Sequence, residues 1–243
     1  MFNEKVYFEE VNGKQIFCDF SEPENPQKKL VIMSHGFRGS SVGPARTFVD
    51  FQRILNKEGF SVLRFDQPNS GNSEGDYLET SYGEWVNIIV YFAKKYLDQG
   101  YKVALLGQSM GGAATLVATS KQELKDKIPC ILLWVSGVNE GDFDGDSEEV
   151  FEEGGQKYKG KFWHEAKEAD FFKCLNDYTG GIHCVYGEND KFISQELRGQ
   201  VIKVVKDKSQ QTMVLKGQDH SPWEFDLCQE VYKEEINLLT RFS

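Results

Sequence analysis

The pentapeptide Gly107-Gln108-Ser109-Met110-Gly111 lies inside "KVALLGQSMGGAATLVA", between an apolar run and an Ala/Leu/Val segment compatible with a helix. A serine at such a corner is a candidate nucleophile. In the pattern G-x-S-x-G the glycines admit a strained strand-to-helix turn that lifts the hydroxyl clear of a sheet edge. The helix behind it aims backbone N–H groups and a partial positive charge at any anion formed there. The bland alternative is a glycine-rich turn without chemistry.

A serine is a poor nucleophile until a base takes its proton, and the base needs an acid to orient it. The chain has four histidines. His164 lies in the tail of an acidic region and His183 inside an apolar run. His35, in "SHGFRG", is expected to brace its loop by hydrogen bonding. His220, in "KGQDHSPW", follows the last apolar strand and precedes the last helix, and is the candidate base. Asp190, in "CVYGENDKFIS", is the candidate acid, with Glu188 and Asp219 as rivals. An oxyanion hole needs two backbone N–H groups, expected from Met110 and from Phe37 in the loop after "LVIMS".

These residues require a scaffold. "KVYFEEVNGKQIFCDF" carries Asn-Gly between two β-rich runs and predicts an opening hairpin. Apolar runs at 30–36, 60–66, 102–107, 130–137, 181–187 and 211–217 predict strands, the last of them the least apolar. Phe48, Phe51, Ile54 and Leu55 recur at helical spacing up to Gly59. Ser81 and Glu84 fit a capping box that opens a second helix ending at Gly100. Further helices are expected near 194–207 and 222–241. Buried-type strands separated by helices imply a parallel sheet covered on both faces, whose ligands bind beyond the carboxyl ends of the strands.

The motifs "SHGFRGS" (34–40), "LRFDQPNSGNSEG" (63–75), "LLGQSMGG" (105–112), "VYGENDKFI" (185–193) and "GQDHSPWE" (217–224) together resemble the α/β-hydrolase family over nearly the whole chain. Within it the sequence is most similar to small bacterial carboxylesterases, of the feruloyl (cinnamoyl) esterase and monoacylglycerol lipase-like groups. The resemblance implies an α/β-hydrolase fold with a mostly parallel central sheet. It implies a serine carboxylesterase acting on small to medium acyl or aryl esters through an acyl-enzyme on Ser109, with no cofactor and no metal. A thioesterase, an amidase or a monoacylglycerol lipase uses the same triad, and a non-catalytic ligand-binding protein of this fold is a further alternative. One departure is Asn69, where the family usually carries glycine; asparagine tolerates a left-handed backbone, so the loop geometry is expected to survive.

With 243 residues and 40% hydrophobic content, one domain spanning residues 1–243 is expected, with a cap insertion at about 139–180. Its Phe162 and Trp163 are candidate substrate contacts, against the alternative that cap aromatics only pack onto the body. The net charge of −10 argues against a nucleic-acid partner, and eight acids with no base fall between Asn139 and Gly155. Asp142, Asp144, Asp146 and Glu153 occupy calcium-loop positions, but Ser147 stands where the turn glycine belongs, so a solvated acidic lid is expected instead. The five cysteines are scattered and suggest neither disulfides nor a zinc site. No apolar run is long enough to span a membrane, and the N-terminus lacks the apolar core of a signal peptide. The expectation is a cytoplasmic protein whose partner is a small-molecule ester, with a homodimer left open.

Overall fold

A computed structural model describes residues 2–138 and 145–242. The chain opens on β1 (Phe2–Val11) and β2 (Lys14–Pro23). They are joined through Asn12 and Gly13, both at positive φ (51° and 79°), as a type I′ hairpin turn requires. There follow β3 (Lys29–Ser34), α1 (Thr47–Lys57), β4 (Ser61–Phe65), α2 (Tyr82–Asp98), β5 (Lys102–Gln108), α3 (Met110–Thr119) and β6 (Cys130–Trp134). The next segment holds β7 (Val150–Glu153), β8 (Gln156–Lys159), α4 (Lys161–Glu168) and α5 (Phe171–Asp177). The chain then runs through β9 (Gly181–Gly187), α6 (Gln195–Asp207), β10 (Gln211–Leu215) and α7 (Phe225–Phe242).

Eight strands form one sheet in the order β1-β2-β4-β3-β5-β6-β9-β10. The β1–β2 and β2–β4 pairs are antiparallel and the remaining pairs parallel. Every residue of β4, β6 and β9 is buried, which is why these strands read as largely apolar runs, interrupted by Arg64 in β4 and His183 in β9. Four predicted strands stop short of their expected ends, β4 at Phe65 and β10 at Leu215 among them. β6 ends at Trp134 because Val135 turns to φ 46°, and β3 ends at Ser34, beyond which His35 and Gly36 belong to the loop.

Parallel strands share one carboxyl edge, so the loops after β3, β5, β9 and β10 meet there. The loops after β3 and β4 are tied together by the fully buried Asp66. Its Oδ1 accepts from Ser41 N at 2.6 Å and its Oδ2 from Asn72 N at 2.7 Å. Asn69 stands at φ 66°, and its Nδ2 donates to Glu79 O at 3.1 Å, so asparagine serves where the family resemblance led one to expect glycine.

The segment after β6 docks on α2. Ser81 Oγ accepts from Glu84 N at 3.2 Å, the forward half of the expected capping box. The reciprocal half does not form: Glu84 pairs with Lys14 Nζ at 2.9 Å, and Glu165 of α4 caps another orphan donor, accepting from Gly83 N at 2.9 Å and from Ser81 Oγ at 2.7 Å.

The first turn of α3 lies so close to the β3 edge that a Cβ on Gly111 would stand 2.1 Å from His35 O and 2.5 Å from Ser34 O. Backbone on both sides leaves no soft neighbour to yield. Gly111→Ala is therefore expected to lower stability by about 1–3 kcal/mol or more, the cost of overpacking. Gly199, within α6 with nothing within 4 Å of a Cβ, is the control. Gly199→Ala should raise stability by about 0.5–1 kcal/mol. Urea-denaturation midpoints of the two variants check both signs.

Candidate active site

Ser109 joins β5 to α3 at φ 54° and ψ −126°, a conformation that L-residues rarely adopt. Its N–H donates to Trp134 O at 2.8 Å, and its carbonyl accepts from Gly112 N at 2.9 Å and Ala113 N at 3.1 Å, which starts the helix. The strain is thus held by backbone bonds on both sides of the residue.

Ser109 and His220 line one cavity of about 660 Å³. His220 Nδ1 lies 2.8 Å from Asp190 Oδ2, and Asp190 Oδ1 accepts from Phe192 N at 2.8 Å and Ile193 N at 3.0 Å. An ionised carboxylate accepts only, so the proton between the two residues sits on His220 Nδ1. Nε2 has no hydrogen-bond partner among the described residues. No hydrogen bond joins it to Ser109 among the described residues.

Burial pushes the Asp190 pKa up, but the bond from His220 and the N–H groups of Ile193 and Phe192 outweigh it and hold the carboxyl below its ordinary value. The rival Glu188 accepts instead from Gly217 N at 2.8 Å, and it is Asp190, not Asp219, whose carboxylate meets His220.

The other histidines have different surroundings. His35 is almost fully buried, with Nδ1 2.8 Å from Gly36 O and Nε2 accepting from Gln67 N at 2.9 Å. Both partners are backbone groups of fixed polarity, so the ring is the neutral Nδ1–H tautomer, and burial pushes its pKa down. His183 pairs with Glu235 Oε1 at 3.1 Å inside the core, and His164 Nε2 lies 2.8 Å from Gly145 O. Neither lines the cavity.

Phe37 and Met110, the expected oxyanion donors, both line the cavity. The N–H groups flanking Phe37 are occupied: Gly36 N donates to Gln108 Oε1 at 3.0 Å and Arg38 N to Tyr77 Oη at 2.8 Å. The Phe37 N–H has no partner among the described residues, and the Met110 N–H is in the first turn of α3, where no intrahelical acceptor exists.

The two candidate substrate contacts separate. Trp163 lines the cavity. Phe162 does not; it is fully buried, its ring 5.0 Å from Trp85, 5.7 Å from Tyr82 and 4.8 Å from Phe37. Consecutive residues of a helix point about 100° apart, so one faces the pocket and its neighbour the body. Phe162 is therefore a packing residue here.

Sequence reasoning missed several residues of the wall. Arg38 donates to Glu153 Oε1 at 2.6 Å, and both line the cavity together with Tyr158 and Phe192. Phe192 is 62% exposed, with its ring 5.1 Å from that of His220. Its place two residues after Asp190 was the available signal; Arg38 and Glu153 are 115 residues apart and gave none. Of the calcium-loop positions, Asp142 and Asp144 lie outside the described residues. Asp146 Oδ1 accepts from Glu148 N at 2.9 Å, and Glu153 is engaged by Arg38.

Residues 29–162 match the model of the α/β-hydrolase fold family, more than half of the chain. Monoglyceride lipase of Homo sapiens is 27% identical over 117 residues, covering 46% of this chain and 36% of that protein. The chain thus spans about a third of the length of the curated relatives it matches. Among solved structures, Est1E of Butyrivibrio proteoclasticus with ferulic acid bound superimposes with a TM-score of 0.81 at 22% identity, covering 96% of this chain and 99% of that one. A monoacylglycerol lipase of Paleococcus ferrophilus gives a TM-score of 0.72 at 18% identity, covering 98% and 100%. At these identities the structural likeness establishes the fold.

The depressed Asp190 pKa is a statement about stability. A carboxyl held below its unfolded value stabilises the fold fully above that value, about 4, and the contribution disappears as pH falls through the folded pKa. The stability difference between the wild type and Asp190→Asn should be largest above about pH 5 and shrink steadily toward pH 2. Chemical denaturation of both proteins across that range checks the sign; a gap that widens in acid contradicts it.

Proposed function

The chain belongs to the α/β-hydrolase fold family, and on that footing we propose that it is a serine carboxylesterase acting on small to medium acyl or aryl esters. The observation that carries the reading is that His220, held by Asp190 behind it, lines the same cavity as Ser109, which stands on a strained turn. Asp190 fixes the tautomer that leaves His220 Nε2 free to accept a proton. Ser109 Oγ attacks the ester carbonyl carbon, its proton passes to Nε2, and the carbonyl oxygen becomes an oxyanion facing the N–H groups of Phe37 and Met110. Collapse expels the alcohol, which takes the proton from His220. Water then attacks the acyl-enzyme with His220 as base, and the acid leaves with Ser109 restored.

In this reading the segment from β7 to α5 caps the cavity, and Trp163 contacts the acyl or aryl part. The wall is mixed, with Trp163, Tyr158 and Phe192 beside the Arg38–Glu153 pair, which suits an uncharged ester of moderate polarity. Thioesters and amides share the chemistry and belong in the same substrate panel.

A fluorophosphonate probe should add a single mass to the wild type and none to Ser109→Ala. On p-nitrophenyl esters, Ser109→Ala and His220→Ala should each lose activity by roughly a million-fold, and the double variant no more, because the pair acts as one unit. Asp190→Asn should lose about 10⁴-fold. The N–H groups of Phe192 and Ile193 would keep the oxygen of the substituted amide on their side, turning its NH₂ toward His220 Nδ1 and moving the ring proton to Nε2. Additive losses, or labelling of Ser109→Ala, would remove Ser109 from the role.

The two cap aromatics should part in their effects. Trp163→Ala should raise KM more than it lowers kcat and reduce discrimination between acetyl and aryl-acyl esters by about 1–3 kcal/mol. Phe162→Ala should instead cost about 3–5 kcal/mol of stability. Steady-state kinetics and thermal melts of both variants distinguish the two roles.

A further inference from the structure

Gln108, the variable residue before the serine, is 6% exposed and makes two side-chain hydrogen bonds. Oε1 accepts from Gly36 N at 3.0 Å, and Nε2 donates to Ser221 Oγ at 3.1 Å. The amide's orientation is not ambiguous. A backbone N–H must face an acceptor, so the oxygen lies toward Gly36 and the NH₂ toward Ser221. The seat is fitted to it: a Cβ on Gly36 would come within 2.6 Å of Gln108 Oε1 and 2.9 Å of Ser109 Cβ.

The two bonded groups are the immediate neighbours of the proposed machinery. Gly36 precedes Phe37, whose N–H faces the oxyanion, and Ser221 follows His220. The sheet cannot align these loops itself. The β3–β5 ladder ends at the Ser34–Gly107 pair, and two strands, β6 and β9, separate β5 from β10. We infer that Gln108 is a positioning residue whose single amide sets the oxyanion loop and the histidine loop at a fixed distance from the nucleophile that directly follows it. This rests on the serine-hydrolase reading above. It assigns Gln108 no contact with substrate; it acts through Phe37 and His220. Both loops matter most when the oxyanion and the imidazolium form, so the bonds act on kcat more than on KM.

The experiment compares wild type, Gln108→Met, Ser221→Ala, Ser221→Thr and the Gln108→Met/Ser221→Ala double variant on p-nitrophenyl acetate and butyrate, with melting curves recorded for each. Gln108→Met removes both bonds at similar volume and should lower kcat about 10- to 100-fold, the scale of a small misplacement, with KM little changed. Ser221→Ala removes one bond and should lower kcat about 2- to 10-fold. Ser221→Thr keeps the hydroxyl and should restore it. In the Gln108→Met background, Ser221→Ala should have no further effect.

A folded Gln108→Met protein with wild-type kcat, whatever its melting temperature, overturns the inference, as does an additive double variant. If Gln108→Met does not fold, the Ser221 pair decides, and equal kcat for Ala and Thr at that position overturns it. A wild type that neither hydrolyses these esters nor reacts with a fluorophosphonate overturns the hydrolase reading and this inference with it. An active wild type with an insensitive Gln108 overturns only the latter.

Discussion

The first turn of α3 presses against the carbonyls of Ser34 and His35 with no room for a methyl group at Gly111, and a Cβ on Gly107 would meet Gly112 Cα at 2.4 Å. Such contact between backbones fixes the path from β5 into α3, and Ser109 is left at φ 54° because no relaxed path connects the two elements. The same contact constrains the loop after β3 from below. That loop is then held from its other sides: His35 is bonded through both ring nitrogens, Asp66 accepts from Ser41 N, and Arg64 donates to Ser41 O at 2.8 Å. A buried neutral histidine is suited to this because it satisfies one backbone donor and one backbone acceptor without a buried charge.

Phe37 connects this loop to the segment above it. It lines the cavity, and its ring lies 4.9 Å from Tyr158, 4.8 Å from Phe162 and 5.2 Å from Trp163. A shift of the segment would move the ring, and the ring is joined through a single Cβ to the backbone that carries the N–H. Tyr77 adds a second coupling, with its ring 5.5 Å from Phe37 and its hydroxyl accepting from Arg38 N. The position of the Phe37 backbone and the shape of this side of the cavity wall are therefore set by one group of aromatic rings.

Much of this was legible in the sequence because it depends on local patterns. Strands buried on both faces must be largely apolar, so β3 to β6 and β9 announce themselves despite Arg64 and His183, and Asn12-Gly13 marks the hairpin by its backbone requirement. Ser109, Asp190 and His220 could be proposed because each follows a strand at one sheet edge. What escaped depends on partners far apart in the chain. Glu165 completes the α2 cap across 84 residues, and Arg38 meets Glu153 across 115. Phe162 and Trp163 looked alike as neighbouring aromatics, and only the rotation of α4 separates a core residue from a wall residue. Gln108 was in plain view inside the motif, but its two partners lie on loops that pattern alone does not bring together.

The acidic segment shows which forces hold it. A solvated acidic lid was expected, yet two of its described acids form ion pairs: Glu153 with Arg38, and Glu148 with Lys159, which also meets Glu79 at 2.9 Å. These side chains are between 22% and 69% exposed, and ion pairs of that kind contribute about 0–1 kcal/mol each. Burying Phe162 completely contributes about 1.5–3 kcal/mol, and each close aromatic pair about 0.5–1.5 kcal/mol beyond that. The aromatic cluster therefore provides the adhesion. The ion pairs select among positions the cluster would otherwise tolerate, since apolar contact is not directional and a charge pair is. Arg38 and Glu153 both line the cavity, so the pair that sets the register of the segment also sets the polarity of the wall.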